Sequence, residues 1–380
     1  MTLSRDLDAQ GGLESVSKPE RVASLTGIRA VAALLVMLTH AAYTTGKYNH
    51  GYVGLVYSRM EIGVPIFFVL SGFLLFGPWV KAAASGGEPP SVRRYARHRV
   101  RRIMPAYIVT VLVAYALYHF RTAGPNPGHT WMGLFRNLTL SQIYTDNYLY
   151  SYPHQGLTQM WSLAVEVAFY VVLPLLAYVL LVVLCRRRWR PVLLLTGLSG
   201  LALITPAWLI LVHTTDFLPD GARLWLPTYL LWFIGGMMLA VLQPMGVRAY
   251  AMVCVPLALA CYFIVSTPIA GAPTTSPAEL REALFKAAFY AVIATLMVAP
   301  LALGDRGVYA KFLASRPMVF LGEISYEIFL IHLVAMELAM VEILHFPIYT
   351  GSIGLLFVAT FVVTVPAAWL LHRFTRVRSD

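Results

Sequence analysis

Long apolar segments separated by short polar connections run through almost the whole chain. Ten of them have the length, roughly 20 residues, at which an α-helix spans the hydrocarbon core of a bilayer. We therefore predict an all-α, polytopic membrane protein with about ten transmembrane helices. The predicted spans are 25–45, 61–80, 103–120, 161–185, 192–212, 225–243, 249–267, 284–304, 318–340 and 351–371.

The composition agrees with this prediction. Of the 380 residues, 58% are hydrophobic and only 12% are charged, about half the charged fraction of a typical soluble domain. Residues 1–23 are polar and lack a small-residue cleavage pattern, so we expect no removable signal peptide. We predict a cytoplasmic tail at 1–23, one membrane domain at 24–371 with an outer connection at 121–160, and a cytoplasmic tail at 372–380.

The basic residues indicate the orientation. Most of the 29 Lys and Arg residues fall in the N-terminal tail, the even-numbered connections and the C-terminal tail. By the positive-inside rule both termini face the cytoplasm, in a plasma or inner membrane. This topology accounts for most of the net charge of +11 without a nucleic-acid partner. Cys185, Cys254 and Cys261 lie in or beside apolar segments without metal-ligand spacing, so we expect no metal.

The first span, "SLTGIRAVAALLVMLTHAAY", carries Arg29 near one end and His40 in its middle. Eleven residues at 100° each bring both side chains to one helix face. At 1.5 Å per residue they lie roughly 16 Å apart along the axis. A snorkelling arginine and a packed histidine are the structural alternative. The spacing also suits an elongated ligand with an anionic head near Arg29 and a reactive end near His40.

Other spans contain polar residues that are rare inside a membrane. The third span opens with "RVRRIMP", in which Arg99 and Arg102 share a helix face and could bind a phosphate in bidentate fashion. In the second span, "GVPIFFVLSGFLLF", Ser71 and Gly72 allow the backbone to approach a neighbouring helix closely, and ordinary helix packing is enough to explain them. Trp161 and Glu166 lie in "QMWSLAVEVAFYVVLP", and Tyr326 and His332 in "LGEISYEIFLIHL".

Together these stretches resemble the membrane-bound acyltransferase-3 family. The segments "SLTGIRAVAALLVMLTH", "FFVLSGF", "RVRRIMP", "WSLAVEVAFYVVLP" and "ISYEIFLIHL" follow the family's order across residues 24–371. The resemblance implies acyl transfer, often acetyl transfer, from cytoplasmic acyl-coenzyme A to a hydroxyl group. The residues that it implies to be functional are Arg29, His40, Ser71, Gly72, Arg99, Arg102, Trp161, Glu166, Tyr326 and His332.

The chain departs from the family pattern in two places. Pro65 and Ile66 stand before the phenylalanine pair, where many relatives have an acidic residue, so any role of that carboxylate is absent. Some relatives also carry an extracytoplasmic esterase-like domain. This chain ends nine residues after the tenth predicted span, so we expect the form without that domain.

The predicted mechanism places the phosphates of acyl-coenzyme A on Arg99, Arg102 and Arg29, with Gly72 also at the cofactor. His40 acts as general base on the acceptor hydroxyl. Glu166 either orients the imidazole or holds the acceptor, and Ser71 or a backbone N–H of the second span meets the oxyanion. Direct attack and a covalent acyl-enzyme both remain open.

The predicted acceptor is a hydroxyl of a cell-envelope carbohydrate or glycolipid, or of a small molecule, with Trp161, Tyr326 and His332 at the substrate. The connection 121–160 offers aromatic residues that either stack on sugar rings or form an interfacial belt: Trp131, Tyr144, Tyr148, Tyr150, Tyr152 and His154. The rival hypothesis is a proton-coupled transporter or flippase that uses His40 and Glu166 as proton relays.

Overall fold

The computed structural model describes residues 18–121, 125–145, 154–274 and 277–376, with side chains described from residue 22 onward. Tyr148, Tyr150 and Tyr152 lie outside this part of the chain. The fifteen α-helices of the described residues are α1 Lys18–Thr44, α2 Gly51–Ser58, α3 Gly63–Ser85, α4 Val92–Phe120, α5 Trp131–Leu138, α6 Met160–Ala177, α7 Pro191–Ala202, α8 Ile204–Thr214, α9 Leu226–Leu242, α10 Ala251–Val265, α11 Leu280–Ala302, α12 Val308–Leu313, α13 Arg316–Glu323, α14 Ser325–Leu338 and α15 Ile353–Thr375.

The helices confirm the predicted all-α membrane fold. Within the described residues, eight helical segments are long and apolar enough to cross a bilayer, and α13 with α14, bent by 72° relative to each other, makes nine if the pair is counted as one span. The remaining predicted span, 249–267, corresponds to α10, which has 15 residues. At 1.5 Å per residue α10 is about 23 Å long, shorter than the hydrocarbon thickness of roughly 30 Å.

Several boundaries differ from the prediction because polar residues extend the helices beyond the apolar segments. Helix α1 begins at Lys18, inside the predicted tail. Helix α4 begins at Val92, where the Ser91 hydroxyl accepts a hydrogen bond from the Arg94 backbone N–H. Its 29 residues give a helix about 43 Å long, which exceeds the hydrocarbon thickness of roughly 30 Å. The arginine-rich first turns therefore belong to the same helix as the apolar segment.

Helix α1 lies at the centre of the bundle, where it packs against α3, α11, α13, α14 and α15. The most extensive helix pair is α3 with α9. A Cβ atom on Gly72 would lie 2.0 Å from the Phe233 carbonyl oxygen, and one on Gly236 would lie 1.9 Å from that of Val69. Small residues permit this close backbone approach, which drives helix association in membranes.

Two helices end in a π-helical turn, Tyr178–Leu184 after α6 and Ala339–Ile343 after α14. Such turns widen a helix locally and frequently occur at functional sites. The second turn carries Met340 and Val341 into a cavity of the bundle.

Candidate active site

A cavity of about 330 Å³ between α1, α3, α4, α6 and α14 holds most of the predicted site residues. We call it the arginine cavity, because Arg29 of α1 and Arg99 and Arg102 of α4 line it. Arg29 and Arg99 are half-buried and Arg102 is exposed, so the cavity opens towards the start of α4. Ser71, Glu166, Tyr170 and Tyr326 complete its polar lining, together with Ser162 and Ser325.

The arginine cavity carries excess positive charge. Among the described residues that line it, three are arginines and only Glu166 is a carboxylate. Glu166 accepts hydrogen bonds from the Ser71 hydroxyl and, at 2.6 Å, from the Tyr170 hydroxyl. The Arg99 Nε is buried without a hydrogen-bond partner within the described part of the chain. Unpaired guanidinium groups favour an anionic ligand that offers several oxygen atoms, such as a phosphate.

A second cavity of about 510 Å³ has His40 on its wall, and we call it the histidine cavity. Its lining combines carboxylates, amides and hydroxyls with aromatic rings, a set that provides both hydrogen bonds and stacking surfaces. The residues that carry these groups are Thr39, His40, Tyr43, Thr44, Tyr48, Ser58, Glu61, Gln155, Thr158, Gln159, Trp161, Thr274, Glu337 and Tyr349.

A pair of histidines defines which nitrogen of His40 carries the proton. The His332 Nδ1 lies 2.8 Å from the Phe329 carbonyl oxygen and 3.2 Å from that of Ile328. Carbonyl oxygens only accept, so Nδ1 of His332 carries the proton and its Nε2 is an acceptor. That Nε2 lies 3.0 Å from the His40 Nδ1, which therefore donates. The Nε2 of His40 keeps its lone pair.

The two carboxylates of the histidine cavity are fixed by neighbouring groups. One oxygen of Glu61 accepts from the Lys286 ammonium at 2.5 Å and from the Tyr290 hydroxyl at 2.9 Å. Glu337 accepts from the Tyr118 hydroxyl at the end of α4. Both carboxylates are thus held in place at the cavity wall.

The two cavities lie end to end along α1 and share two lining residues, Val64 of α3 and Phe329 of α14. We call this pair the dividing wall. Arg29 lines the first cavity and His40 the second, on one unbroken helix. Val64 and Phe329 therefore lie where the two cavities meet.

The structure brings most of the predicted residues to these two cavities. Tyr326 lines the arginine cavity and donates its hydroxyl to the Ile103 carbonyl at 3.0 Å. Trp161 lines the histidine cavity and packs on Tyr229, with ring centroids 5.0 Å apart. His332 lies behind His40, buried, and lines neither cavity.

Two predicted roles do not fit the observed positions. Gly72 was expected at the cofactor; it lies where the backbones of α3 and α9 approach closely, and it lines neither cavity. Glu166 was expected either beside His40 or at the acceptor. Its hydrogen-bond partners are Ser71 and Tyr170 in the arginine cavity, and His332 is the residue that holds the His40 imidazole.

The position of Glu166 follows from the end of the connection 121–160. Residues Gln155–Leu157 form a short helical turn, and the Gln159 side-chain amide donates to the Leu330 carbonyl of α14 at 2.8 Å. Gln155, Thr158 and Gln159 line the histidine cavity. The residues that lead into α6 therefore lie inside the bundle and not on its surface. Just before these residues, burial and the neighbouring His129 lower the pKa of His154 to about 3.

Several residues at the cavities were not predicted from the sequence. Glu61 and Glu337 fall within predicted spans 61–80 and 318–340, and an ionisable residue inside a span is the signal that marks them. Tyr170 follows Glu166 by one helical turn, the spacing at which two side chains meet. Among the described residues, no group of three or more His, Cys, Asp or Glu side chains is arranged to hold a metal ion.

A helical membrane bundle with a cationic cavity joined to a histidine-bearing cavity is suited to group transfer from an anionic donor. The chain belongs to the acyltransferase-3 family, whose model, described as an acyltransferase domain, matches residues 22–373. It is therefore a multi-pass membrane protein of an acyltransferase family.

The chain is similar to the acyltransferase MdmB of Streptomyces mycarofaciens, with 29% identity over 93% of this chain and 90% of that protein. The peptidoglycan O-acetyltransferase OatA of Listeria monocytogenes is 24% identical over 82% of the chain and 49% of its own length. The O-acetyltransferase OatA of Staphylococcus aureus is 22% identical over 84% and 51%. The chain spans about half the length of these two O-acetyltransferases. No solved structure matches it.

Proposed function

We propose that the protein is a membrane O-acyltransferase that moves an acyl group, acetyl in the simplest case, from acyl-coenzyme A to a hydroxyl of a cell-envelope carbohydrate or glycolipid. The observation that carries this proposal is the junction of the two cavities. Three arginines line one of them, the His40 imidazole lines the other, and only Val64 and Phe329 are common to both. The donor binds in the arginine cavity and the acceptor in the histidine cavity.

The donor fits the arginine cavity because its phosphates need cationic partners. Arg99 and Arg102 lie towards the opening of this cavity and Arg29 lies further along its wall. The nucleotide end of the donor therefore binds at Arg99 and Arg102, and the pantetheine arm points towards the dividing wall. The arm is on the order of 15–20 Å long, which matches the axial distance of roughly 16 Å between Arg29 and His40. The thioester then reaches His40.

His40 serves as general base in this mechanism. Its Nε2 accepts the proton of the acceptor hydroxyl while the hydroxyl oxygen attacks the thioester carbonyl carbon. The carbon–sulfur bond breaks, and the thiolate takes the proton back from the imidazolium. The products are an ester and free coenzyme A. The hydrogen bond to His332 holds His40 in the required tautomer, as the orienting member of a catalytic triad does.

A carbohydrate suits the histidine cavity. Glu61, Glu337 and Gln159 offer acceptors for sugar hydroxyls, and Trp161, Tyr48 and Tyr349 offer ring faces and edges. The two OatA relatives are named O-acetyltransferases, one of them of peptidoglycan, which supports the same acceptor class. With both termini in the cytoplasm, as the basic residues indicate, the arginine cavity faces the cytoplasmic donor pool.

The test is thiol release from acetyl-coenzyme A in membrane vesicles of cells that express the chain, combined with mass spectrometry of their envelope carbohydrates and lipids. We expect thiol release coupled to a mass increase of one acetyl group. The variant His40→Ala should lose 10²–10⁴-fold in rate, the usual contribution of a general base. Near-normal acetylation by His40→Ala would contradict the proposed base. Substrate movement without thiol release would instead support a proton-coupled transporter.

A further inference from the structure

Three tyrosine rings lie side by side on the wall of the histidine cavity. The Tyr43 ring packs edge-on against Tyr48, with centroids 5.5 Å apart, and against Tyr349, with centroids 5.9 Å apart. All three residues line the cavity. Tyr43 is 51% exposed and Tyr349 is 57% exposed. The contacts of these two rings with the protein therefore leave much of each side chain uncovered.

The backbone of Tyr349 is strained. Its φ is 63°, in the left-handed region that a bulky residue rarely adopts. Two contacts with the end of α1 hold it there. The Tyr349 N–H donates to the Thr44 carbonyl at 3.0 Å, and a Cβ atom on Gly46 would lie 2.6 Å from the Tyr349 carbonyl oxygen. Strain of this kind persists only where the surrounding structure enforces it, and it clusters at active sites and ligand sites.

The other strained positions show how Tyr349 differs from an ordinary turn residue. Among the described residues other than glycine, the following have a positive φ: Leu140, Arg186, Arg187, His345 and Tyr349. Of these, Tyr349 is the one that lines a cavity. A tyrosine of a membrane-interface belt needs only a ring at the level of the headgroups, which does not require a left-handed backbone. The strain and the cavity thus coincide at this ring.

We propose that Tyr349 and Tyr43 bind a sugar ring of the acceptor and hold one of its hydroxyls at His40. The inference rests on the proposed function, since it concerns the acceptor of that reaction. A pyranose presents apolar C–H faces, which pack on aromatic rings, and hydroxyls around its edge, which need polar partners. Tyr43 follows His40 by three residues, so both lie on one face of α1, about 4.5 Å apart along the axis. A sugar on these rings is therefore close enough to present a hydroxyl to the base.

The experiment uses the purified full chain in liposomes, with acetyl-coenzyme A as donor. The acceptor probe is the glycans and glycolipids extracted from the envelope of the cells that express the chain. Thiol release above the rate without extract is measured at a series of extract and donor concentrations. These measurements give a half-saturating concentration for the extract and another for the donor, so a change in acceptor binding is distinguished from a change in donor binding.

The variants separate the aromatic ring from the strained backbone. Tyr349→Leu keeps apolar bulk without a ring face, and Tyr349→Phe keeps the ring. Tyr349→Gly removes the side chain and relieves the strain, and Tyr43→Leu tests the second ring. His345→Leu is the matched control, because His345 also has a positive φ, of 52°, is exposed in the same connection before α15, and lines neither cavity.

We expect Tyr349→Leu, Tyr349→Gly and Tyr43→Leu to raise the half-saturating extract concentration about five- to tenfold, the order of magnitude of one aromatic contact, without changing that of the donor. Tyr349→Phe and His345→Leu should change neither concentration. Tyr349→Gly should melt at or above the temperature of the unaltered chain, because glycine adopts the left-handed conformation without strain.

An unchanged half-saturating extract concentration in both Tyr349→Leu and Tyr349→Gly would overturn the inference and leave the proposed function intact. Equal changes for extract and donor, together with a lower melting temperature, would also overturn it, because they indicate a packing role. If the unaltered chain releases no thiol in response to the extract, the proposed function itself is wrong, and the inference with it.

Discussion

At the scale of single residues, the pairing of two imidazoles decides how His40 can act. The sequence places Arg29 and His40 on one helix, and this part of the site was predictable from their spacing. The partner of His40 was not, because His332 lies 292 positions away and its bond to His40 depends on how α14 packs against α1. Spacing within one helix predicts shared faces, but not which helix meets that face.

Replacing His332 should separate orientation from chemistry. The variant His332→Leu removes the acceptor for the His40 Nδ1 proton, so the base loses its fixed tautomer and we expect the rate to fall by about 10²-fold or more. The variant His332→Gln can offer a carbonyl oxygen at that position and should keep more activity. Thiol release over a range of pH values measures both. Equal losses in the two variants would indicate a packing role instead.

The arginine pair should govern donor affinity. Charge-assisted hydrogen bonds contribute roughly 1.5–3 kcal/mol each, so Arg99→Ala and Arg102→Ala should each raise the KM for acetyl-coenzyme A about tenfold or more. Arg101→Ala is the control, because Arg101 is exposed on the same helix and lines neither cavity. An unchanged KM in the double variant Arg99→Ala/Arg102→Ala would remove the arginines from the donor site.

At the scale of elements, the turn before α3 is tied to α11 by a buried ion pair. The Lys286 side chain is only 6% exposed and that of Glu61 24%. Removing one member of such a pair leaves an uncompensated charge and costs about 3–5 kcal/mol. We expect Lys286→Met to lower the melting temperature of the purified protein markedly. Arg281→Met, which breaks the exposed pair with Glu279 at 4.0 Å, should change it little.

The contact between the connection 121–160 and α4 should make the protein sensitive to acid. His154 packs against Tyr115 and Tyr118, and its Nε2 lies 3.2 Å from the His129 Nδ1. Its pKa is lowered to about 3 in the folded protein, whereas an unfolded chain has a histidine pKa near 6.5. Between these values the unfolded state binds more protons, so stability falls as the pH falls.

The expected slope is about 1.4 kcal/mol per pH unit below roughly pH 6, and it ends near pH 3. Thermal unfolding at pH 7.5, 6 and 5 measures this slope, with His154→Phe as the variant that should reduce it. A slope that stays unchanged in His154→Phe would assign the acid sensitivity to other groups.

The same segment explains which part of the site the sequence leaves undetermined. The apolar segment predicts that α6 exists. Where α6 begins within the bundle depends on the preceding residues, Gln155–Leu157, which form a short helical turn inside it. The sequence therefore leaves open what Glu166 contacts, and the structure places it with the arginines. Hydrogen bonds such as that of Gln159 to the α14 backbone are long-range and leave no local pattern.

At the scale of the whole molecule, all ten predicted spans correspond to helices of the structure. Their number follows from segment length alone, because the bilayer demands about 20 apolar residues whatever the packing. The 72° bend between α13 and α14 and the short α10 do not follow from length. A count of apolar residues predicts neither.

The dividing wall also has an electrical consequence. If water fills both cavities in the membrane, Val64 and Phe329 mark the thinnest part of the barrier between them, and much of the transmembrane voltage falls there. The proposed reaction forms a thiolate and an imidazolium beside this position. A full charge crossing 100 mV changes its energy by about 2.3 kcal/mol, so imposing a potential on vesicles should change the rate of thiol release, and a voltage-independent rate would indicate that the two cavities are not both hydrated.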